Sequence, residues 1–102
     1  MQYYTTVVQD VLAILKVNQS IEISFDHTDF LDEYVSRIET LEPDTIGVSM
    51  PTKRRVPPGT HCWVYLIRDR QRYGFESVIQ GYAKDNIPLM VLSCPCEILR
   101  LP

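Results

Sequence analysis

Hydrophobic and polar residues alternate with a period of two along most of this chain, from about residue 21 onward. In the stretch "IEISF", Ile21, Ile23 and Phe25 alternate with polar residues, a pattern typical of a strand with one face in the core and one in water. Similar alternation recurs downstream between clusters of turn-forming residues. The pattern predicts six strands, over residues 21–25, 34–41, 46–50, 61–68, 71–82 and 89–93.

Consecutive strands with short connections predict an all-β fold, either a sandwich or a barrel. We favour a barrel, because closure removes the exposed strand edges that invite aggregation. The stretch "HCWVYLIR" is the strongest strand, and it forms a hairpin with the next one through "RDRQR". The longest irregular stretch, "PTKRRVPPGT", contains three prolines that cannot donate to a sheet, so we expect an exposed loop there.

The first eighteen residues follow a different period, which predicts a short N-terminal helix. Apolar residues at helical spacing form one stripe, made of Val7, Val8, Val11, Leu12 and Leu15. Asn18 is a suitable helix end. The β-branched valines lower the helix propensity, so a strand over residues 7–15 is the alternative. We therefore divide the chain into a helical segment, residues 1–18, and a β-barrel domain, residues 19–102.

Composition limits the class of protein. A chain of 102 residues with 45% hydrophobic and 23% charged residues fits one ordinary folded domain. We find no internal repeat, no secretory signal and no apolar run long enough to span a membrane. Three cysteines, an odd number, favour reduced structural thiols and a cytoplasmic location. The net charge of −3 disfavours nucleic-acid binding, although the second half of the chain is basic.

The residues that catalysis or metal binding would need are not arranged in any known pattern. The four glycines are too sparse for a phosphate-binding loop, and no serine lies in a nucleophile elbow. We interpret His27 as a solvent-exposed turn residue. The acidic residues of "FDHTDFLDE" lack the spacing of a calcium-binding loop. We therefore predict no catalytic residues and no metal site, and a protein that is not an enzyme.

Two basic groups and three aromatic residues are the candidates for binding. Charged residues in turns usually keep loops in water, but these basic groups could also contact an acidic partner protein. The basic residues are Lys53, Arg54, Arg55, Arg68, Arg70 and Arg72. We expect the aromatic residues Trp63, Tyr65 and Phe75 to fill the core, with a binding platform as the alternative.

About four-fifths of the chain resembles a known domain. From about Ile21 onward, it is similar to the N-terminal domain of flagellar brake proteins, which precedes a PilZ domain. The resemblance rests on "MP", on Gly59, on the "YGFESV" return of the hairpin, and on the closing pattern "PLMVLSCPCEILR". These residues form a packing pattern, and the last thirty positions carry most of it.

The resemblance implies a six-stranded antiparallel split β-barrel, in the cytoplasm, that works beside a downstream PilZ domain. In such proteins, cyclic di-GMP is held by an R-x-x-x-R segment that follows the barrel and by a [DN]-x-S-x-x-G stretch inside the PilZ domain. We therefore expect no cofactor within these residues, with Arg100 adjoining the nucleotide-binding segment, which would lie beyond Pro102.

The resulting expectation is a non-enzymatic regulatory domain of a flagellar brake-like protein that responds to cyclic di-GMP. Its partners would be the PilZ domain and flagellar motor proteins. Two alternatives remain: a small flavin-binding split-barrel domain, since a similar barrel holds flavin elsewhere, and a stand-alone protein-interaction adaptor.

Overall fold

A computed structural model describes residues 6–102, and most of the regular structure in this range is β-strand. Each of the six strands that the alternation predicts is present, with bounds shifted by three residues at most. The strands are β1 (Thr6–Val8), β2 (Ser20–Phe25), β3 (Glu33–Leu41), β4 (Thr45–Ser49), β5 (His61–Arg68), β6 (Gln71–Asp85), β7 (Ile87–Ser93) and β8 (Ile98–Leu101).

Six of these strands, β2 to β7, close into a barrel because β3 and β6 each serve two sheets. β3 pairs first with β2 and then with β4. β6 pairs with β5 over residues 71–78 and with β7 over residues 79–85. The pairs β2–β5 and β4–β7 complete the ring, and every pairing is antiparallel. The predicted all-β fold, a six-stranded antiparallel split barrel, is confirmed.

The N-terminal segment contains less helix than the sequence predicts. A single 3-10 turn covers Val11–Ala13, and Thr6–Val8 form β1, which pairs with β8 beside the start of β6. The β-branched valines suit a strand, and β8 supplies the hydrogen bonds that a short helix would have to form alone. The predicted helical segment also includes residues 1–5, which lie outside the described range.

The hydrophobic core consists mainly of aliphatic side chains, together with the aromatic rings of Phe25, Phe30, Tyr73 and Phe75. On the central pair of strands, β2 and β5, Ile23 lies directly opposite Val64, and both side chains are fully buried. Two residues outside the strands join this core, Leu15 from the N-terminal segment and Val56 from the proline loop, 2% and 0% exposed. Both irregular segments are therefore fixed to the barrel by a buried side chain.

The two halves of the barrel share one layout, although the sequence shows no repeat. β3 pairs with β2 and β4 as β6 pairs with β5 and β7, and equivalent residues of β3 and β6 are 41 positions apart. Asn18 and Gly59 also correspond. Both have positive φ, 72° and 90°, and their N–H groups donate to the carbonyls of Ile38 and Ile79, each at 2.7 Å. The barrel is thus built from two halves that repeat one three-stranded unit.

Two matching serine pairs lie where β3 changes its partner from β2 to β4 and where β6 changes its partner from β5 to β7. The buried hydroxyl of Ser36 donates to the carbonyl of Ser49 at 2.5 Å, and the hydroxyl of Ser77 donates to the carbonyl of Ser93 at 2.7 Å. In each pair the second hydroxyl accepts the backbone N–H of the residue that follows the first serine. These bonds satisfy backbone groups where the ladders separate.

Candidate functional site: the basic loops and the outer face of the barrel

The proline loop, residues 50–60 between β4 and β5, is held against the barrel rather than free. The hydroxyl of Tyr82 donates to the carbonyl of Val56 at 2.6 Å, and the hydroxyl of Thr60 donates to the carbonyl of Pro57 at 2.6 Å. Burial raises the pKa of the Tyr82 hydroxyl above its ordinary value, so this group remains a donor at neutral pH. The loop therefore presents its basic residues from a fixed backbone.

Two of the three basic residues in this loop stack on aromatic rings. The guanidinium carbon of Arg54 lies 5.2 Å from the centre of the Phe30 ring, and that of Arg55 lies 4.8 Å from the centre of the Tyr82 ring. Such cation–π contacts contribute roughly 0.5–1 kcal/mol at exposed sites. Lys53 is exposed, as are both arginines. The loop thus carries three exposed cations, two of them in fixed positions.

The hairpin that joins β5 and β6 carries the second basic group, and its first member is a structural residue. The Nη1 of Arg68 donates to the carbonyls of Ala13 and Ile14, 2.8 Å to each, and the Nε lies 4.0 Å from a carboxylate oxygen of Asp69. The side chain of Arg68 is 22% exposed. Its guanidinium therefore ties the hairpin to the N-terminal segment.

Replacing Arg68 with methionine should lower the free energy of unfolding by about 1–2 kcal/mol, because two charge-assisted hydrogen bonds are lost while most of the apolar stem is kept. Urea unfolding followed by circular dichroism measures the change. Arg70→Met is the matched control and should change stability by less than about 0.5 kcal/mol. Equal midpoints for the two variants would show that the Arg68 contacts contribute nothing.

Arg70 and Arg72 have no such role. Asp69 and Arg70 form the two-residue turn of the hairpin, with φ of 52° and 65°, and Arg70 is exposed. Arg72 is also exposed and lies on the outer face of the sheet, opposite Ile67 of β5 and Leu101 of β8. These two cations are available to a partner.

The two basic groups do not form one surface. The proline loop leads into the start of β5, and the hairpin follows its end. Eight residues of strand separate them by roughly 23 Å. Arg100, on β8, lies opposite Tyr73, with its guanidinium carbon 6.0 Å from that ring. It is closer in the sheet to the hairpin group than to the loop.

The outer face of β5 carries two aromatic residues that we expected in the core. Phe75 is buried as predicted, but Trp63 and Tyr65 are only partly buried, with ring centres 6.2 Å apart and planes inclined by 19°. The core prediction for these two rings is therefore wrong. The alternation along β5 carries the correct signal, because it places the smaller residues Cys62, Val64 and Leu66 together on the opposite face, which fills the interior.

The three cysteines, Cys62, Cys94 and Cys96, are free thiols. Burial raises the pKa of Cys62 to about 12, so this thiol stays neutral at physiological pH. The pKa of Cys94 is also raised, mainly by burial and further by the nearby Cys96 and Asp44. Within residues 6–102, no cluster of three metal-ligating side chains is present.

Two of the six barrel strands are shared between two sheets, so the fold of the chain is an antiparallel split barrel. Its sequence is more specific. Residues 16–95 match the PilZNR family, described as flagellar protein YcgR, and the chain belongs to this family. The matched range contains all six barrel strands and excludes β1 and β8.

A solved structure shares the fold. The Bacillus subtilis inhibitor of motility, MotI/DgrA, superposes with a TM-score of 0.73 at 15% sequence identity, covering 86% of this chain and 46% of that protein. The chain thus spans about half the length of this structural relative. No curated protein sequence matches it significantly. None of the helical structure between residues 6 and 102 has the length and hydropathy of a membrane span.

Proposed function

We propose that this chain is a regulatory, non-enzymatic barrel domain of a cyclic di-GMP-responsive, flagellar brake-like protein that controls motility in the cytoplasm. The observation that carries the proposal is the family match over residues 16–95, which spans the whole barrel. The fold shared with the inhibitor of motility supports the same class of function. A PilZ domain downstream of the barrel completes the proposed protein.

In this proposal the barrel is the scaffold and the nucleotide binds outside it. Residues that follow Arg100, together with the PilZ domain, hold cyclic di-GMP, because guanidinium groups pair with phosphates and stack on guanine. Nucleotide at the junction would fix one arrangement of the two domains and so shift their population. The exposed cations of the proline loop and the hairpin would then contact an acidic face of a motor protein.

Calorimetric titration and a swimming assay test the two parts of the proposal. Cyclic di-GMP added to this chain should release no heat, and micromolar binding to it would contradict a clamp outside the barrel. In the encoding host, excess full-length protein should reduce the swimming zone on soft agar. The double substitution Lys53→Glu and Arg70→Glu should relieve that inhibition, whereas Lys84→Glu, an exposed site near the β6–β7 turn, should not. Unchanged swimming with excess wild-type protein would contradict a brake function.

A further inference from the structure

The outer face around β5 has the features of a docking surface. Trp63 and Tyr65 stack there, and Val35 and Ile67, on the same face, are 73% and 63% exposed. Large apolar side chains that remain this exposed on one sheet face mark interaction surfaces more often than isolated ones do. Gly74 lies directly opposite Tyr65 on β6 and leaves room for its ring.

The absence of a side chain at Gly74 lets the Tyr65 ring lie over the neighbouring strand. A Cβ atom there would come within 3.3 Å of the Tyr65 Cδ1 and 3.2 Å of the Leu101 Cδ1. Contacts this short would require the Tyr65 ring and the Leu101 side chain to shift by a few tenths of an ångström. The two ring planes are nearly parallel, and both residues are only partly buried, so part of each ring is available as a platform for a planar group.

Carboxylates surround this platform. Glu76 of β6 lies directly opposite Trp63, and Glu22 of β2 lies directly opposite Tyr65. Adjacent strands are about 4.8 Å apart, so both carboxylates are within reach of a group bound on the rings. Asp26 lines an open groove of about 490 Å³ beside Trp63, and Glu97 lines a second one. We call Trp63, Tyr65 and these four acids the aromatic–acidic face.

None of these four acids takes part in an ion pair within the described part of the chain, residues 6–102. The two salt bridges there are Arg37–Glu39 and Arg68–Asp69. Two arginines on the same side of the sheet, Arg37 and Arg72, lie in the next row, that of Ile67. Arg37 is paired with Glu39, and Arg72 lines a groove with Glu22 and Tyr65. The field is therefore most negative around Trp63, where the two grooves are lined by Asp26, Glu76 and Glu97 and by no lysine or arginine among residues 6–102.

We propose that the aromatic–acidic face binds an arginine-bearing segment of a partner protein. A guanidinium is planar and cationic, so it stacks on an indole ring while its N–H groups reach the carboxylates on either side. A phosphate-bearing partner, such as a nucleic acid or an anionic membrane, would be repelled. A purely apolar partner would strip water from the acids without replacing their hydrogen bonds.

This surface borders the hairpin group at Arg72 and differs from both basic groups in the charge that it carries around Trp63. The inference does not depend on the proposed function. The loops offer cations to an acidic partner, whereas this face offers carboxylates and aromatic rings to a basic one. The surface therefore gives the domain two contact regions of opposite charge, which favours one orientation of the barrel between two partners.

The single tryptophan of the chain, Trp63, allows a direct test. The probe is an acetylated and amidated peptide in which arginine alternates with serine, and the control peptide replaces each arginine with citrulline, a neutral analogue of nearly the same shape. The arginine peptide should shift the Trp63 emission saturably, and its affinity should fall as salt rises. The citrulline peptide should leave the emission unchanged. Equal responses to the two peptides would overturn the inference.

Variants locate the binding. Glu22→Gln with Glu76→Gln should weaken binding of the arginine peptide by about fivefold or more, since two charge-assisted contacts are lost. The control, Glu42→Gln with Asp85→Asn, removes the same charge from exposed positions at other turns and should change affinity less than twofold. Equal weakening by both pairs would contradict the site. An emission shift that follows protein concentration without peptide would also overturn it, by showing that a second copy covers the face.

Discussion

Replacing Leu15 with alanine should lower the free energy of unfolding by about 2–5 kcal/mol, although Leu15 lies before the first barrel strand. Its side chain is 2% exposed and belongs to the same core cluster as Ile23 and Phe75. Truncation would leave a cavity where the N-terminal segment meets the barrel. Guanidinium chloride unfolding, followed by tryptophan emission and circular dichroism, measures the loss.

Leu12→Ala is the matched control, because Leu12 lies in the same segment but is 68% exposed. It should change stability by less than about 0.5 kcal/mol. If Leu15→Ala were as mild as Leu12→Ala, the N-terminal segment would be an appendage and the barrel would fold without it. A large difference would instead make residues 11–18 part of the barrel domain, contrary to the boundary at residue 19 that the sequence suggests.

Replacing either buried serine of the matching pairs should have a large and similar effect. Ser36→Ala and Ser77→Ala should each destabilise the domain by about 1–3 kcal/mol, because each leaves a carbonyl and a hydroxyl of the adjacent strand without their partner. The side chains of Ser36 and Ser77 are 6% and 4% exposed, so water replaces the lost bonds poorly. Urea unfolding measures both changes.

A double-mutant cycle separates the hydrogen bond from the burial of the hydroxyl. Ser77→Ala combined with Ser93→Ala should cost less than the sum of the single changes, because removing both partners leaves fewer unsatisfied groups. Ser20→Ala, at an exposed position on β2, is the control and should be close to neutral. Additive single effects would show that the two hydroxyls do not interact with each other. A cost at Ser20 equal to that at Ser77 would show that the paired hydroxyls do not stabilise the barrel.

The strands of the barrel could be predicted from the sequence because their alternation is local. Residues such as Ile21, Ile23 and Phe25 specify both the strand and its inner face, whatever lies beside it. β8 was not predicted, and a strand near β1 was only the alternative to a helix, for the opposite reason. Each is three or four residues long, too short to show a period. β8 forms on the edge that β6 provides, and β1 forms on the edge of β8. In the N-terminal segment, the spacing of the apolar residues predicts a helix, whereas the β-branched valines favour a strand.

The candidate sites were harder to predict because they depend on register. Sequence proximity groups Arg68 with Arg70, yet the carbonyls that Arg68 binds belong to residues more than fifty positions earlier. The alternation does show that Trp63 and Tyr65 share a face, but the choice of the inner face follows from the small diameter of the barrel, which favours Val64 and Leu66. The acids around these rings come from three other segments, so only the folded chain assembles them.

The layout of two equivalent halves has a consequence for signalling. Neither three-stranded half can cover its own inner face, and the halves meet along both the β2–β5 and the β4–β7 seams. The halves must therefore form and separate together, in one cooperative step. Because the two halves share one packed core, we expect a partner that displaces one half to displace the whole barrel.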